Sequence, residues 1–146
     1  MSKNSLLSES VIIDVPFHDC DPMNVVWHGN YARYFEVARS ALLRKMNYDY
    51  EDMSKSGYMW PIVDMRVKYI ASARYAQKIK VDAHLVEVES RLKMEYLVTC
   101  VETGQKLTKA STIQLAVDLE TQELQFVTPA AFTDKLQGEL NGSLDG

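Results

Sequence analysis

The sequence is short of the residues that staple small secreted domains together. Its two cysteines in 146 residues, Cys20 and Cys100, form no CxxC pair and no framework, so the chain reads as a reduced, cytoplasmic protein. Basic residues are in the minority. Sixteen Lys and Arg against 20 Asp and Glu leave a net charge of −4, which argues against nucleic acid as a partner, since that needs a basic domain or stripe. No apolar run approaches the ~20 residues of a transmembrane helix. Residues 1–10 also lack the apolar segment and small-residue cleavage site of a secretory signal. What remains is a globular composition, 47% hydrophobic and 25% charged, in a length that suits one domain closing a single core. Internal repeats, low-complexity tracts and linkers are absent. The polar ends, 1–10 and 137–146, are expected to be flexible, which places the domain at 11–136.

Val11, Ile13, Val15 and Phe17 alternate with the two-residue period of a strand, and Pro16 marks it as an edge or as its end. The pattern changes at Gly29. From there to Met46, Tyr31, Tyr34, Phe35, Ala38, Leu42 and Met46 recur every three or four residues. They form an apolar stripe on a helix of about 18 residues, ~27 Å long. Arg33, Glu36, Arg39, Ser40 and Arg44 take its other faces, with Glu36 and Arg39 spaced for an ion pair. A further helical turn over 49–55 should stop at Gly57. Beyond it, 62–70, 78–88, 92–102 and 106–118 read as strands, with a last short one at 124–127 and a short terminal helix from Pro129. Breaks as short as 71–76, 89–91 and 103–105 should join antiparallel neighbours. One helix and an antiparallel sheet of five or six strands make a two-layer α+β domain, the sheet curled round the helix.

The densest chemistry lies between the first strand and the helix, in His18-Asp19-Cys20-Asp21-Pro22-Met23-Asn24-Val25-Val26-Trp27-His28-Gly29-Asn30-Tyr31. Two acids, two histidines and a thiol share a loop that runs into a helix N-terminus. Unpaired backbone N–H groups there carry partial positive charge suited to polarising a carbonyl oxygen. A carboxylate beside them could attack a thioester carbonyl or activate water to do so. The same residue types also make plain turns and caps. A Cys20–His28 thiol nucleophile is a weaker alternative because no third orienting group is apparent. A zinc site of His18, Cys20, Asp21 and His28 is weaker still, because the spacing matches no structural zinc pattern. No metal and no cofactor are expected. A second feature is the run Arg66, Lys68, Arg74, Lys78 and Lys80, with no acid between Met65 and Val81. Solvated strand positions would account for it, as would an edge that attracts an anionic ligand such as a nucleotide phosphate.

The stretch from Asp19 to Tyr31 resembles the signature of the 4-hydroxybenzoyl-CoA thioesterase family, within the hotdog superfamily. That signature runs D-x-D, three residues, two β-branched residues, an aromatic, often His, and after two more residues a Tyr leading into the helix. Residues 33–39, 63–69, Ala73-Arg74 and 116–118 match later family features. The resemblance implies the hotdog fold, and a homo-oligomer, dimer or tetramer, with thioester sites at the subunit interface. It implies hydrolysis of an acyl-CoA or acyl-carrier-protein thioester to free acid and thiol. Asp21 would be the catalytic carboxylate, as nucleophile or general base. His28 falls where members of the Tol-Pal-associated type carry a second functional residue, and its backbone N–H would polarise the carbonyl.

Gly29 and Tyr31 are candidates to border the substrate, Tyr31 being equally suited to the core, and among the basic strand residues Arg66, Lys68, Arg74, Arg91 and Lys93 are candidates to hold its anionic end. The acyl group would meet Trp27, Tyr31, Met59, Trp60 and Met65. Asn24 departs from the glycine many relatives have, and Asn is the non-glycine residue that best tolerates left-handed backbone. Asp19 is expected to order the turn by accepting backbone N–H bonds. Two alternatives stay open. A hotdog dehydratase or hydratase would carry a glycine- and proline-rich histidine motif, which is not found. A non-catalytic acyl-thioester binding protein would be expected to lose its acid, and Asp21 is present.

Overall fold

The computed structural model describes residues 5–145. Its first strand, β1 (Leu7–Asp14), starts four residues before the expected one and stops short of Pro16. Leu7 is buried although the polar run Ser8-Glu9-Ser10 follows it, because the strand is an edge with one face toward solvent. Such a strand needs only alternate apolar residues. A 3-10 turn, His28–Asn30, then feeds directly into α1 (Tyr31–Lys45).

The expected stripe is buried, but so are Arg39 and Ser40, which the periodicity had assigned to solvent. The curved sheet wraps more of the helix than a flat layer would. Arg39 therefore turns inward while Glu36 stays exposed, and the expected Glu36–Arg39 ion pair does not form. After α1, Asp49 caps α2 (Tyr50–Ser56) in a reciprocal capping box with Asp52, and Gly57 ends it at φ 89°.

Four more strands complete the main sheet: β3 (Ile62–Tyr69), β4 (Lys78–Glu87), β5 (Leu92–Cys100) and β6 (Lys106–Gln114), after the two-residue β2 (Tyr58–Met59). The order is β1-β4-β5-β6-β3, with every neighbouring pair antiparallel. The short breaks after β4 and β5 join neighbours as expected. The break after β3 does not: residues 70–77 carry the chain across the sheet, three strand positions or about 14 Å, from β3 at one edge to β4.

The expected strand over 106–118 is also divided. It ends at Gln114, and β7 (Val117–Asp118) leaves to pair with β2. Of the strand expected at 124–127, only a bridge between Leu124 and Val117 exists. The terminal helix is long, not short. It runs as α3 (Ala130–Asp145), and its Phe132 is fully buried between Tyr48 and Trp60 at ring distances of 5.3 and 5.5 Å. Regular elements thus extend past both 11 and 136.

The two edges of the sheet differ. α1 lies against β1 and β4, so Ile79, Val81, Ala83 and Leu85 of β4 form the centre of the core with Met94, Tyr96 and Val98 of β5. β3 is half-buried or exposed at every residue, on both faces.

Candidate active site

The loop between β1 and α1 is a folded unit. Cys20 and Val26 bridge as antiparallel partners, and the Asp21 N–H donates to the Val25 carbonyl at 2.9 Å. Asn24 turns the chain at φ 64°, its N–H on the Asp21 carbonyl at 2.9 Å. Asparagine thus does here what glycine does in a left-handed turn. The Val26 N–H donates to Ala73 at 2.8 Å, and Val25 bridges to Arg74, which docks the loop on the crossover from β3 to β4.

The two aspartates exchange the roles their types suggest. Asp19 is only 3% exposed. It orders the loop through side chains, not through backbone N–H groups: its carboxylate accepts from Arg33 and, at 2.7 Å, from the Tyr34 hydroxyl, both on α1. Its carbonyl accepts from the Trp27 N–H and the Asn30 side chain, at 3.0 and 2.9 Å. Burial alone would raise the Asp19 carboxyl, but the bonds from Arg33 and Tyr34 outweigh it and hold it below its ordinary value. Burial and the same carboxylate push the Tyr34 phenol well up.

Asp21, by contrast, caps its own turn. One oxygen, Oδ1, accepts from the Met23 and Val25 N–H groups at 2.9 and 3.4 Å. The carboxyl borders a cavity of about 300 Å³ whose other walls are His28, Tyr31, Tyr69 and residues 70–72.

His28 opens the 3-10 turn, so the helical N-terminus that faces the cavity begins there and not at α1 itself. Its exposed ring lies 5.1 Å from that of Trp27 and 6.4 Å, edge-on, from Tyr69, whose hydroxyl donates to the His28 carbonyl at 3.3 Å. Gly29 is required by close approach: a Cβ there would stand 2.3–2.8 Å from the Trp27 indole. Tyr31 is buried in the cavity wall, its hydroxyl accepting from the Ala73 N–H at 3.2 Å.

Asp21, His28, Gly29 and Tyr31 therefore come together, with Arg74 flanking their loop. The other basic candidates lie elsewhere. Val67 and Tyr69 share the helix-facing side of the sheet with Ala110, Thr108, Tyr96 and Val98, so Arg66 and Lys68 point to the opposite face. There they line a shallow depression of about 350 Å³ with Lys93, Lys109 and Glu95. Arg91 holds Glu87 through two bonds of 2.8 and 3.3 Å, and this pairing lowers the Glu87 carboxyl. Tyr69 and residues 70–72 were missed as site residues, since nothing local marks the end of a strand as a cavity wall. Arg33 and Tyr34 could have been found: three and four residues past Asn30, which ends the 3-10 turn, they sit on the helical turn nearest the loop.

The loop's other groups are less suited to chemistry. Burial, with Asp19 and Asp21 nearby, pushes the Cys20 thiol up and away from the thiolate a nucleophile needs. The exposed His18 ring stands 3.6 Å from the Asp19 carboxylate.

Asp21 and the first helical turn thus border one cavity, on an antiparallel sheet curled round a single long helix, which is the layout of the hotdog fold. The comparisons bear out the class. Residues 15–140 match the thioesterase-like superfamily, and the chain belongs to it. A DHNA-CoA thioesterase of Staphylococcus aureus superposes with a TM-score of 0.79 at 29% identity, covering 94% of this chain and 91% of that one. YneP of Bacillus subtilis, named as a candidate acyl-CoA thioesterase, is 28% identical over 115 residues, 78% of this chain and 83% of its own length. The candidate esterase sll0410 of Synechocystis is 29% identical over 109 residues, 74% of this chain, and the match spans 66% of that protein.

Proposed function

We propose that the chain hydrolyses acyl-CoA thioesters, with Asp21 as the catalytic carboxylate and the backbone N–H of His28 as a donor to the developing oxyanion. The observation that carries this reading is the shared cavity: Asp21 on one wall, the first helical turn on the other. A thioester carbonyl between them would meet a base or nucleophile on one side and a partial positive charge on the other. The Asp21 turn holds one oxygen and leaves the second without a hydrogen bond among the described residues, so one oxygen is positioned while the other can react. His28's ring would border the leaving sulfur or a water. The acyl-CoA assignment also accords with the printed name of YneP.

The active unit we propose is a homodimer closed through β3. That strand presents an unpaired edge with exposed Met65 and Tyr69, the kind of edge that pairing with a second chain covers. The nucleotide end of coenzyme A would be drawn to the basic face of Arg66, Lys68, Lys93 and Lys109, with Arg74 nearer the thioester. Arg91 is already engaged by Glu87 and adds little.

A thiol-release assay over matched coenzyme A and acyl-carrier-protein thioesters tests the reaction. Release from some thioester, lost in Asp21→Asn, is the expected result; binding without release in the unaltered protein would leave a binding protein instead. In single turnover in ¹⁸O water, label in Asp21 establishes it as a nucleophile whose mixed anhydride is opened by water at the Asp21 carbonyl, and trapping of that anhydride with hydroxylamine covers opening at the acyl carbonyl. Light scattering on the active species should give twice 16.6 kDa or a multiple of it.

A further inference from the structure

Arg39 is a buried cation that no step above uses. It is 6% exposed and lies on the same face of α1 as Phe35 and Tyr31, four and eight residues back. Its Nη1 makes a long 3.5 Å bond to the Tyr96 hydroxyl, which is itself shared with Thr112 at 2.8 Å. Its Nε is buried without any partner, and Arg39 enters none of the ion pairs among the described residues. A buried guanidinium held only by neutral hydroxyls lacks the counter-charge that normally offsets its desolvation.

Tyr50, which lies close to the Arg39 guanidinium, leads to where that charge could be met. Tyr50 forms part of the wall of a cavity of about 410 Å³ between α2 and β2, otherwise built from Met53, Tyr58, Met59, Trp60 and Leu119. Gln114, whose Nε2 donates to the Trp60 carbonyl at 2.8 Å, leaves its buried Oε1 unpartnered beside the same segment. Arg39 and Gln114 each sit behind the cavity wall, Arg39 behind Tyr50 and Gln114 behind Trp60, and an apolar cavity backed by a few unsatisfied polar groups suits a small molecule.

We propose that Arg39 is a specificity-determining residue that receives a carboxylate at the far end of the acyl group, so that the preferred substrates are thioesters of dicarboxylic acids. The proposal rests on the thioesterase reading. It also rests on the β3–β3 dimer, because α1, about 22 Å long, separates this cavity from the Asp21 of its own chain. Antiparallel pairing of two β3 edges sets Trp60 and Pro61 of one copy beside the Tyr69 end of the other. Arg39 then acts on a thioester held by the second copy's Asp21, and guanidinium and carboxylate meet in a paired, charge-assisted contact.

The test is kcat/KM over shape-matched pairs with and without a terminal carboxylate: 4-carboxybenzoyl-CoA against 4-methylbenzoyl-CoA, and adipoyl-CoA against heptanoyl-CoA. The unaltered protein should favour the carboxylate member by at least about ten-fold. In Arg39→Met the ratio should fall to near one, chiefly through KM, and Arg39→Lys should recover part of it. Tyr50→Phe, at a half-exposed position, should weaken the ratio and serves if Arg39→Met does not fold. Mixing Asp21→Asn with Arg39→Met chains should restore the preference in the hybrid dimer. No preference in the unaltered protein, a preference for 4-hydroxybenzoyl-CoA over the carboxylate, a ratio untouched by Arg39→Met or Tyr50→Phe, or no restoration on mixing each overturns the proposal. Failure to release thiol from any thioester would instead overturn the thioesterase reading.

Discussion

The loop from Pro16 to His28 has two halves that are held in opposite ways. In the first, Asp19 is buried and bound by two side chains of α1, and its carbonyl takes two further bonds. In the second, Asp21 is bound only by backbone N–H groups of its own turn and borders a cavity. The first half supplies the rigidity, and on our proposal the second supplies the reactive group. A carboxylate with both oxygens engaged and its pKa depressed stabilises the fold but makes a poor base. One held by a single oxygen keeps its chemistry, provided that something else fixes the loop.

Exchange of either acid for its amide probes this division. Asp21→Asn should lower kcat by roughly 100-fold or more, the scale of a lost base or nucleophile. Its KM and Tm should scarcely move, because the amide oxygen can still accept from Met23 and Val25. Near-normal kcat in Asp21→Asn, with loss in Glu36→Gln, would move the catalyst to the helix and undo the comparison.

Asp19→Asn should do the reverse. Losing a charge-assisted pair to Arg33 should cost about 2 kcal/mol, seen as a fall in Tm of roughly 5 °C, with kcat changed far less than in Asp21→Asn. Equal losses of turnover in both variants would show that the halves act as one.

The same pair predicts a pH dependence. The Asp19 carboxyl is depressed in the folded state, so its stabilisation is fully present above the unfolded value of about 3.9. It is lost as pH falls through the lower folded value. The gap in Tm between the unaltered protein and Asp19→Asn should therefore be constant from pH 7 to 5 and close below about pH 4. A gap that persists in acid would mean that shape, not charge, holds the loop.

The smallest effect is expected at His28. His28→Ala keeps the backbone N–H that we propose as the oxyanion donor, so kcat should drop by less than about ten-fold. A loss as large as that of Asp21→Asn would assign the chemistry to the ring.

Much of this was legible in residue order. The stripe from Tyr31 to Leu42 identified α1, Gly57 marked the end of α2, and Asn24 was read as a left-handed turn. Each of these depends on contacts within a few residues. Less legible was the division of labour between Asp19 and Asp21, since both types make turns and the partners that separate them, Arg33 and Tyr34, come from α1. The basic candidates scattered for a related reason. Arg66 and Lys93 look equivalent to Arg74 in sequence, yet alternation along the strands turns the first two to the sheet face opposite the helix.

The sequence by itself determined α1, α2 and the four long strands after them, where the acid-rich loop lies, and that an acid stands beside a helical N-terminus, because periodicity, caps and turns are short-range properties. Only the tertiary structure decided that β3 crosses to the far edge and stays bare, that Arg39 and Ser40 turn inward, and that Asp21 rather than Asp19 faces a cavity. Those outcomes follow from strand order and sheet curvature, which bring together residues more than forty positions apart, and no local pattern records them.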